Sequence, residues 1–197
     1  MKRILFVLLA ALSLSACKEK RVIVMSKGPA EINTDNRTIK AKDGAGHEEK
    51  AFAISSSKAT FELSTPAGEA TVDFPESGLY ILNVKNDTII GGYQRYADPN
   101  EKRSTITQEK LKQMIDSVIL LSEGKNASAA NRTFYILPNK AVKISDNIAA
   151  DVVGPYHRMR SVEKKDGKDP EVYHFFSIKE IREKIAEMVA LTVAEKK

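Results

Sequence analysis

Residues 47–51 read His-Glu-Glu-Lys-Ala and begin like the helix motif of zinc proteases, in which two histidines one helical turn apart bind the metal. Ala51 stands where the second histidine is required, so a zinc ion would lack a ligand. Residues 44–46, Gly-Ala-Gly, begin like a dinucleotide-binding loop, but Glu49 occupies the third glycine position and would repel a pyrophosphate. We therefore interpret both stretches as turns that hold neither a metal nor a nucleotide cofactor.

The other two histidines, His157 and His174, could meet in a hairpin. If residues 156–163 pair with residues 171–176, the two rings share a face in one strand register and lie on opposite faces when the register shifts by one residue. A shared metal or catalytic site is one outcome, and a histidine hydrogen-bonded locally at an interface is the favoured one. The sequence has no Gly-x-Ser-x-Gly elbow, phosphate-binding loop or Cys-x-x-Cys motif. We therefore predict no catalytic residue, metal ligand or cofactor, and lean towards a protein that is not an enzyme.

The start of the chain has the pattern of a signal peptide. Lys2 and Arg3 precede an uncharged and mostly apolar run, residues 4–16, which is shorter than the about 20 residues that a membrane-spanning helix needs. Residues 14–17, Leu-Ser-Ala-Cys, resemble the lipobox of bacterial lipoproteins. That resemblance implies that residues 1–16 are removed and that Cys17 carries lipid. The alternative is a secretory signal cleaved beside a cysteine that is buried.

The resemblance also implies where the protein resides. Cys17 is the only cysteine, which suits acylation better than a disulfide in an oxidising compartment. In bacterial lipoproteins an aspartate after the lipidated cysteine retains the protein in the inner membrane, and Lys18 stands there instead. We therefore expect residues 17–21 to be a lipidated tether at the outer membrane, with the protein facing either the periplasm or the exterior.

The number and distribution of charged residues limit the kinds of partner that the protein can bind. The chain of 197 residues has 31 Lys plus Arg against 26 Asp plus Glu, a net charge of +5. The two signs are interleaved along the sequence as on an ordinary solvated surface, whereas a nucleic-acid binder concentrates its positive charge in a patch. The expected partners are therefore the membrane, through the lipid, and an unidentified envelope protein or glycan, with no nucleic acid.

Residues 22–96 have a β pattern, which predicts an antiparallel meander forming a sandwich or barrel-like domain. Residues 60–63 and 70–74 alternate between apolar and polar around a Thr-Pro-Ala-Gly turn, so we expect one buried face on this hairpin, formed by Phe61, Leu63, Val72 and Phe74. Residues 79–84 are apolar on both faces for most of their length and predict a central strand. A turn at Asn86 and Asp87 should send residues 88–90 back as the next strand.

Residues 97–106 are predicted to be a linker, followed by a smaller α+β domain over residues 107–197. Thr107 is a good N-cap for an amphipathic helix that ends at Gly124, and Ser177 with Glu180 forms a capping box for a second helix. Two hairpins complete this part, one from residues 133–137 and 141–144, the other from residues 152–156 and 172–176. The fold class is therefore α+β.

Two surface features concern modification and partners. Asp-Thr-Ile around Thr88 matches a pattern for O-glycosylation in some envelope systems and falls in a turn expected to be exposed. Residues 156–160 combine an aromatic, a histidine and two arginines, and such side chains are enriched in interface hot spots. We therefore select Tyr156, His157, Arg158 and Arg160 as candidate partner contacts.

These features favour a lipid-anchored cell-envelope protein that acts as a non-catalytic interaction or scaffold module. A small-ligand or glycan-binding lipoprotein is the alternative, and an envelope hydrolase comes third. A ligand binder should show a concave site with aromatic side chains, and a hydrolase should bring carboxylates, histidine or a nucleophile together in a cleft.

Overall fold

The structure, a computed structural model, describes residues 19–96, 107–157, 164 and 167–194, without the side chains of residues 191–194. The predictions for Cys17, for the linker at residues 97–106 and for Arg158 and Arg160 lie outside the described residues. In chain order the strands are β1 (Lys20–Ser26), β2 (Ala30–Asn33), β3 (Thr38–Ala41), β4 (Glu48–Ile54), β5 (Ala59–Thr65), β6 (Gly68–Phe74), β7 (Gly78–Asn83), β8 (Ile89–Tyr93), β9 (Thr133–Ile136), β10 (Lys140–Ser145), β11 (Asp151–Val153) and β12 (Val172–Ser177), and the helices are α1 (Gln108–Ser122) and α2 (Ile178–Ala194).

The described strands form three four-stranded sheets that stack in layers. A central sheet, in the order β10-β7-β1-β4, lies between a first outer sheet, β2-β3-β5-β6, and a second outer sheet, β11-β12-β8-β9. One core cluster joins the central sheet to the first outer sheet, and another joins it to the second. The helices α1 and α2 cover the far side of the second outer sheet, where Leu121 and Ile181 pack with Ile90. The chain is therefore mostly β with two helices, compatible with the α+β class.

The two middle strands of the central sheet, β1 and β7, are buried on both faces, and the sequence of β1 reflects this. Val22 and Val24 point into the first core, while Ile23 and Met25 point into the second. A strand covered on both sides has no need of the polar alternation of a half-exposed strand, so it reads as a continuous apolar run. All six residues of β7 are buried, which confirms the prediction of a central strand near residues 79–84.

The predicted hairpin around residues 65–68 is confirmed. Strands β5 and β6 pair in antiparallel register with Phe61 opposite Val72, and the four side chains expected to share a face are all buried. Gly68 has a φ of 103°, a conformation that favours glycine, and it closes the turn as its sequence position predicts.

The antiparallel meander is wrong, because all three sheets are mixed. Strand β1 runs parallel to β7, β3 runs parallel to β5, and β11 runs parallel to β12. Strand β8, expected to return beside β7, instead joins the second outer sheet between β12 and β9. Both edges of β7 are already occupied by β1 and β10, so no hydrogen-bonding position remains for β8 there.

The two C-terminal hairpins are also wrong. Strands β9 and β10 are adjacent in sequence but lie in different sheets, with β9 paired to β8 and β10 paired to β7. The chain changes sheet at Asn139, whose φ of 57° is unusual for a residue other than glycine and whose N–H donates to the Asn83 carbonyl at 2.8 Å. The second proposed hairpin is instead the parallel pair of β11 and β12.

Both helix starts are confirmed. The Thr107 side chain accepts from the Lys110 N–H at 3.3 Å, and Gly124, with a φ of 73°, follows the end of α1. At α2 the Ser177 N–H donates to Glu180 Oε2 at 2.6 Å while the Glu180 N–H donates to Ser177 Oγ at 3.3 Å, which is the predicted capping box. Within the described part of the chain, no helix is long and apolar enough to cross a membrane.

The central and second outer sheets each combine strands from residues 22–96 with strands from residues 107–197. The proposed domain boundary therefore does not separate two sets of sheets. We expect a single calorimetric unfolding transition with equal calorimetric and van't Hoff enthalpies, because the central and second outer sheets both lose strands when either part unfolds. Two resolved transitions would contradict this and favour two separate domains.

Candidate functional site

A buried lysine marks one end of the central sheet. Lys85 follows β7 and is 2% exposed, and its N–H donates to Asn83 Oδ1 at 3.0 Å. Its Nζ lies 2.8 Å from His47 Nδ1 and 3.9 Å from Glu180 Oε1. Burial lowers the pKa of Lys85, while the carboxylate of Glu180 acts in the opposite direction. A lysine in such a position needs acceptors close by, and these contacts supply them.

His47 extends this arrangement towards the surface, since its Nε2 lies 2.7 Å from Glu49 Oε1. The Lys85 ammonium can only donate, so His47 Nδ1 accepts, and the ring proton is then on Nε2 and donates to the Glu49 carboxylate. We call the three linked side chains Lys85, His47 and Glu49 the polar chain. It runs from an enclosed ammonium to a carboxylate that is 30% exposed.

Gly154, just after β11, fits against the polar chain. A Cβ at this position would lie 2.2 Å from Glu49 Oε1 and 2.3 Å from His47 Nε2, so only glycine fits without displacing the pair. The Gly154 carbonyl accepts from His174 Nε2 at 2.8 Å, and the side-chain amide of Gln94 lies 3.1 Å from His174 Nδ1. The backbone at Gly154 is therefore held between two histidines.

Tyr156 and His157, which we call the ridge, line two neighbouring clefts. The larger has a volume of about 700 Å³ and the smaller about 440 Å³. Tyr156 is 71% exposed, the highest value among the large apolar side chains that the structure describes as exposed. Its ring makes an edge contact with the His47 ring at a centroid distance of 6.4 Å, which places the ridge beside the polar chain.

The larger cleft is lined by aromatic and charged side chains, among them Tyr96, His174, Phe176, Glu183 and Glu187. The smaller cleft is bounded by His47 and Glu49 together with the end of β11. No serine, threonine or cysteine is among the described residues that line either cleft. The described residues also include no group of three or more His, Cys, Asp or Glu side chains placed to hold a metal ion.

The structure brings together part of what the sequence predicts. His157 and His174 both line the larger cleft, as a shared site would require, but the two ring nitrogens of His174 contact Gly154 and Gln94. That arrangement matches the favoured interpretation of a locally hydrogen-bonded histidine. Of the candidate contacts, Tyr156 and His157 form the ridge.

Sequence reasoning missed Lys85 and Gly154 and misread His47 and Glu49 as part of a turn. Glu49 belongs to β4, and His47 immediately precedes that strand. Residues two apart along a strand point to the same face, so the His-x-Glu spacing was a usable signal for this pair. The burial of Lys85 had no local signal, because its acceptors come from two distant segments.

Thr88 is not in an exposed turn as predicted. Its side chain is only partly accessible, and its carbonyl accepts from the Ile178 N–H at 3.1 Å at the start of α2. O-glycosylation at this residue stays a prediction, and the packing against α2 leaves less space for a sugar than an exposed turn would.

A second polar cluster lies between the central and second outer sheets. The Glu171 carboxylate accepts from Tyr173 at 2.6 Å, from Ser145 at 2.8 Å and from Asn147 at 3.0 Å, and it also pairs with Arg132. Burial opposes ionisation of Glu171, but these donors hold its pKa below the ordinary value. Since the carboxylate is surrounded by partners from the protein itself, we interpret this cluster as a structural link between the sheets.

The pH dependence of stability should report on His174. Burial lowers the pKa of His174 below its ordinary value of 6.5. Below pH 6.5 His174 therefore binds a proton in the unfolded chain but is still neutral in the folded chain. The free energy of unfolding falls as the pH is lowered, until the pH reaches the pKa of His174 in the folded chain. His174→Gln should flatten the fall between pH 7 and pH 5 in urea titrations, whereas Tyr156→Ala should retain it. Equal slopes in wild type and His174→Gln would contradict this.

Comparison with protein families, curated proteins and solved structures finds no match to this chain.

Proposed function

We propose that the chain is a lipid-anchored protein of the cell envelope, attached to the outer membrane through Cys17, and that it acts as a non-catalytic interaction module. The contact surface in this proposal is the ridge. The observation that carries it is the exposure of Tyr156 between two clefts, directly against a buried polar chain. Exposed tyrosines beside pockets are frequent anchors of protein interfaces.

The chemistry-bearing side chains favour binding over turnover. Both ring nitrogens of His47 and of His174 are within hydrogen-bond distance of protein groups, so neither ring has a nitrogen left for a substrate proton. The Lys85 side chain is enclosed and so cannot reach a substrate. Instead, His174 donates to the Gly154 carbonyl, and His47 and Glu49 pack against Gly154 next to the ridge. Such pre-organisation lowers the entropy lost when a partner binds.

The proposed lipid anchor also fits a binding role. A lipid on Cys17 would confine the protein to a membrane surface and raise its effective concentration for other envelope components without any active site. The partner in this proposal is an envelope protein that reaches the ridge.

The larger cleft favours a second candidate, the binding of a small ligand or glycan. Its volume lies within the range of about 300–1,000 Å³ typical of ligand sites, and Tyr96 and Phe176 contribute aromatic surface. Native mass spectrometry of protein extracted from membranes would show a bound small molecule if this candidate is correct. An envelope hydrolase remains the third alternative, and turnover of an envelope substrate that depends on His157 or His174 would establish it.

The proposal is tested by formaldehyde crosslinking in intact cells. The wild-type chain should form a defined crosslinked species on a gel, Tyr156→Ala should reduce it several-fold, and Cys17→Ala should abolish it. Leu137→Ala is the matched control, because Leu137 is also a large exposed apolar residue and lines neither cleft. A species that persists in Tyr156→Ala, or that is lost equally in Leu137→Ala, would contradict the ridge as the contact surface.

A further inference from the structure

Very little chain separates Cys17 from the folded part of the protein. Strand β1 begins at Lys20, and the Glu19 carbonyl already accepts from the Gly78 N–H at 3.2 Å. The two residue steps from Cys17 to Glu19 span at most about 7 Å, even when the chain is fully extended. A lipid on Cys17 would therefore hold the start of β1 close to the membrane surface.

The start of β1 lies near the centre of one end of the molecule. Strand β1 is a middle strand of the central sheet, and that sheet is the middle one of the three layers. Ile54, at the end of β4, and Gly78, at the start of β7, both pair with Lys20 and so lie at the same end. We call this end of the layers the anchor end.

Loops that lead to both outer sheets flank the start of β1 at the anchor end. The loop from β4 to β5 leads to the first outer sheet, and its Ser57 carbonyl accepts from Lys20 Nζ at 3.1 Å. The loop from β10 to β11 leads to the second outer sheet, and its Ala150 carbonyl accepts from Arg21 Nη1 at 3.0 Å. Both loops are therefore fixed beside the point where the chain enters the fold.

The tether is too short for the molecule to lie on its side. Sheets packed face to face lie about 10 Å apart, so each outer sheet extends the anchor end by about that distance from β1. A tether of at most about 7 Å cannot reach around either outer sheet. Among the described residues, none of the large exposed apolar side chains lies in the two flanking loops, so their insertion into hydrocarbon is not favoured.

From this geometry we infer that the anchor end rests on the phospholipid headgroups of the membrane, and that the short tether holds the strands of the central sheet upright on the bilayer. The inference rests on the proposed lipidation of Cys17 and adds the orientation of the molecule. Glu49, in the polar chain beside the ridge, pairs with Met25, which lies five residues beyond Lys20 and so about 17 Å further along β1. The partner must therefore contact the ridge with a part that extends into the aqueous compartment.

The test compares how close single fluorophores lie to the headgroups of vesicles. Cys17 is the only cysteine, and its sulfur is blocked in the lipidated chain, so one introduced cysteine gives one site for a bimane label. The variants are Ser57→Cys and Ala149→Cys, in the two flanking loops, and Glu48→Cys. The lipidated chain is reconstituted into phosphatidylcholine vesicles in which part of the lipid carries a nitroxide on its headgroup, because the nitroxide quenches a nearby bimane.

Quenching should be similar at positions 57 and 149 and several-fold weaker at position 48. Glu48→Cys is the matched control, since Glu48 is exposed and pairs with Ser26 at the opposite end of β1. Thermal unfolding of each labelled variant confirms that it is folded. Equal quenching at all three positions, or the strongest quenching at position 48, would overturn the inference. Strong quenching at only one of positions 57 and 149 would also contradict it, because the molecule would then be tilted.

A longer tether tests the physical cause of the orientation. A Gly-Ser linker of about ten residues, inserted between Lys18 and Glu19, adds up to about 35 Å of reach and lets the molecule turn freely. Quenching at the three positions should then become similar. If the order of quenching is unchanged in the insertion variant, the short tether does not set the orientation and the inference is wrong.

The inference and the proposed function can fail separately. If a Tyr156-dependent species forms in cells but quenching is strongest at position 48, the contact surface stands and the orientation is wrong. If quenching follows the expected order but no Tyr156-dependent species forms, the orientation stands and the proposed function is wrong. Absence of acyl chains on Cys17 in the mass spectrum of the wild-type chain would overturn both.

Discussion

Phe175→Ala should lower the free energy of unfolding by about 3–5 kcal/mol, the range for phenylalanine removed from a close-packed core. Phe175 lies on β12, is completely buried and packs with the ring of Phe134 at a centroid distance of 6.3 Å. It belongs to the core that joins the central sheet to the second outer sheet. The vacated volume is enclosed by strands from both sheets, so the surrounding structure can collapse only partly.

The measurement is urea unfolding followed by circular dichroism. Leu137→Ala is the control, because half of the Leu137 side chain is exposed, and it should change the free energy by no more than about 0.5 kcal/mol. A cost below about 1 kcal/mol for Phe175→Ala would show that this core contributes little to joining the layers.

Gly154→Ala should destabilise the fold by about 1–3 kcal/mol, as expected when an added methyl group forces side chains out of position. The new Cβ would overlap Glu49 Oε1 and His47 Nε2. Glu49 is partly exposed and can move into solvent, but His47 is 8% exposed and is held by Lys85, so the hydrogen bond between the two side chains is lost. Part of the polar chain is then left without its partner.

Gly46→Ala is the matched control. A Cβ there would approach only the Lys27 carbonyl, at an ordinary 3.5 Å, so the free energy of unfolding should change little. In the Gly154→Ala background, Glu49→Gln should lower the free energy of unfolding by much less than it does in the wild type. The reason is that the contact between residue 49 and His47 has already been lost. Fully additive costs would mean that Gly154 and Glu49 are not coupled and that the proposed geometry is wrong.

The sequence predicts the features of this fold that depend on neighbouring residues. The turn at residues 65–68 combines proline and glycine at the positions that a tight hairpin requires, and the capping box at Ser177 and Glu180 satisfies its own backbone groups. The apolar run in β7 predicts burial on both faces because its apolar side chains point to both sides of the strand. Each of these signals lies within a few residues of the structure that it specifies.

The pairing of strands could not be predicted in the same way. Alternation of apolar and polar residues indicates which face of a strand is buried but not which strand lies beside it. The turns after β7 and β9 look like hairpin turns, yet each carries the chain from one layer to another. At Asn139 this change of sheet depends on a hydrogen bond to Asn83, a residue far away in the sequence.

The candidate site depends even more on distant segments. The polar chain joins residues 47, 49 and 85, and its packing partner is residue 154. Neither the burial of Lys85 nor the lack of space at Gly154 can be predicted from the residues that adjoin them in the sequence. The exposed tyrosine at the ridge could be found because an aromatic residue stands next to a histidine in the sequence, and both border the clefts.

The most direct test of the central claim, that the ridge contacts a partner in the envelope, is site-specific photo-crosslinking in intact cells. Tyr156→p-benzoylphenylalanine places the photoreactive group between the two clefts, and Leu137→p-benzoylphenylalanine places it on exposed surface outside them. We predict one defined adduct from position 156 that disappears when Cys17→Ala is introduced, and no adduct of that mass from position 137. The same adduct from both positions, or none from position 156, would contradict the claim.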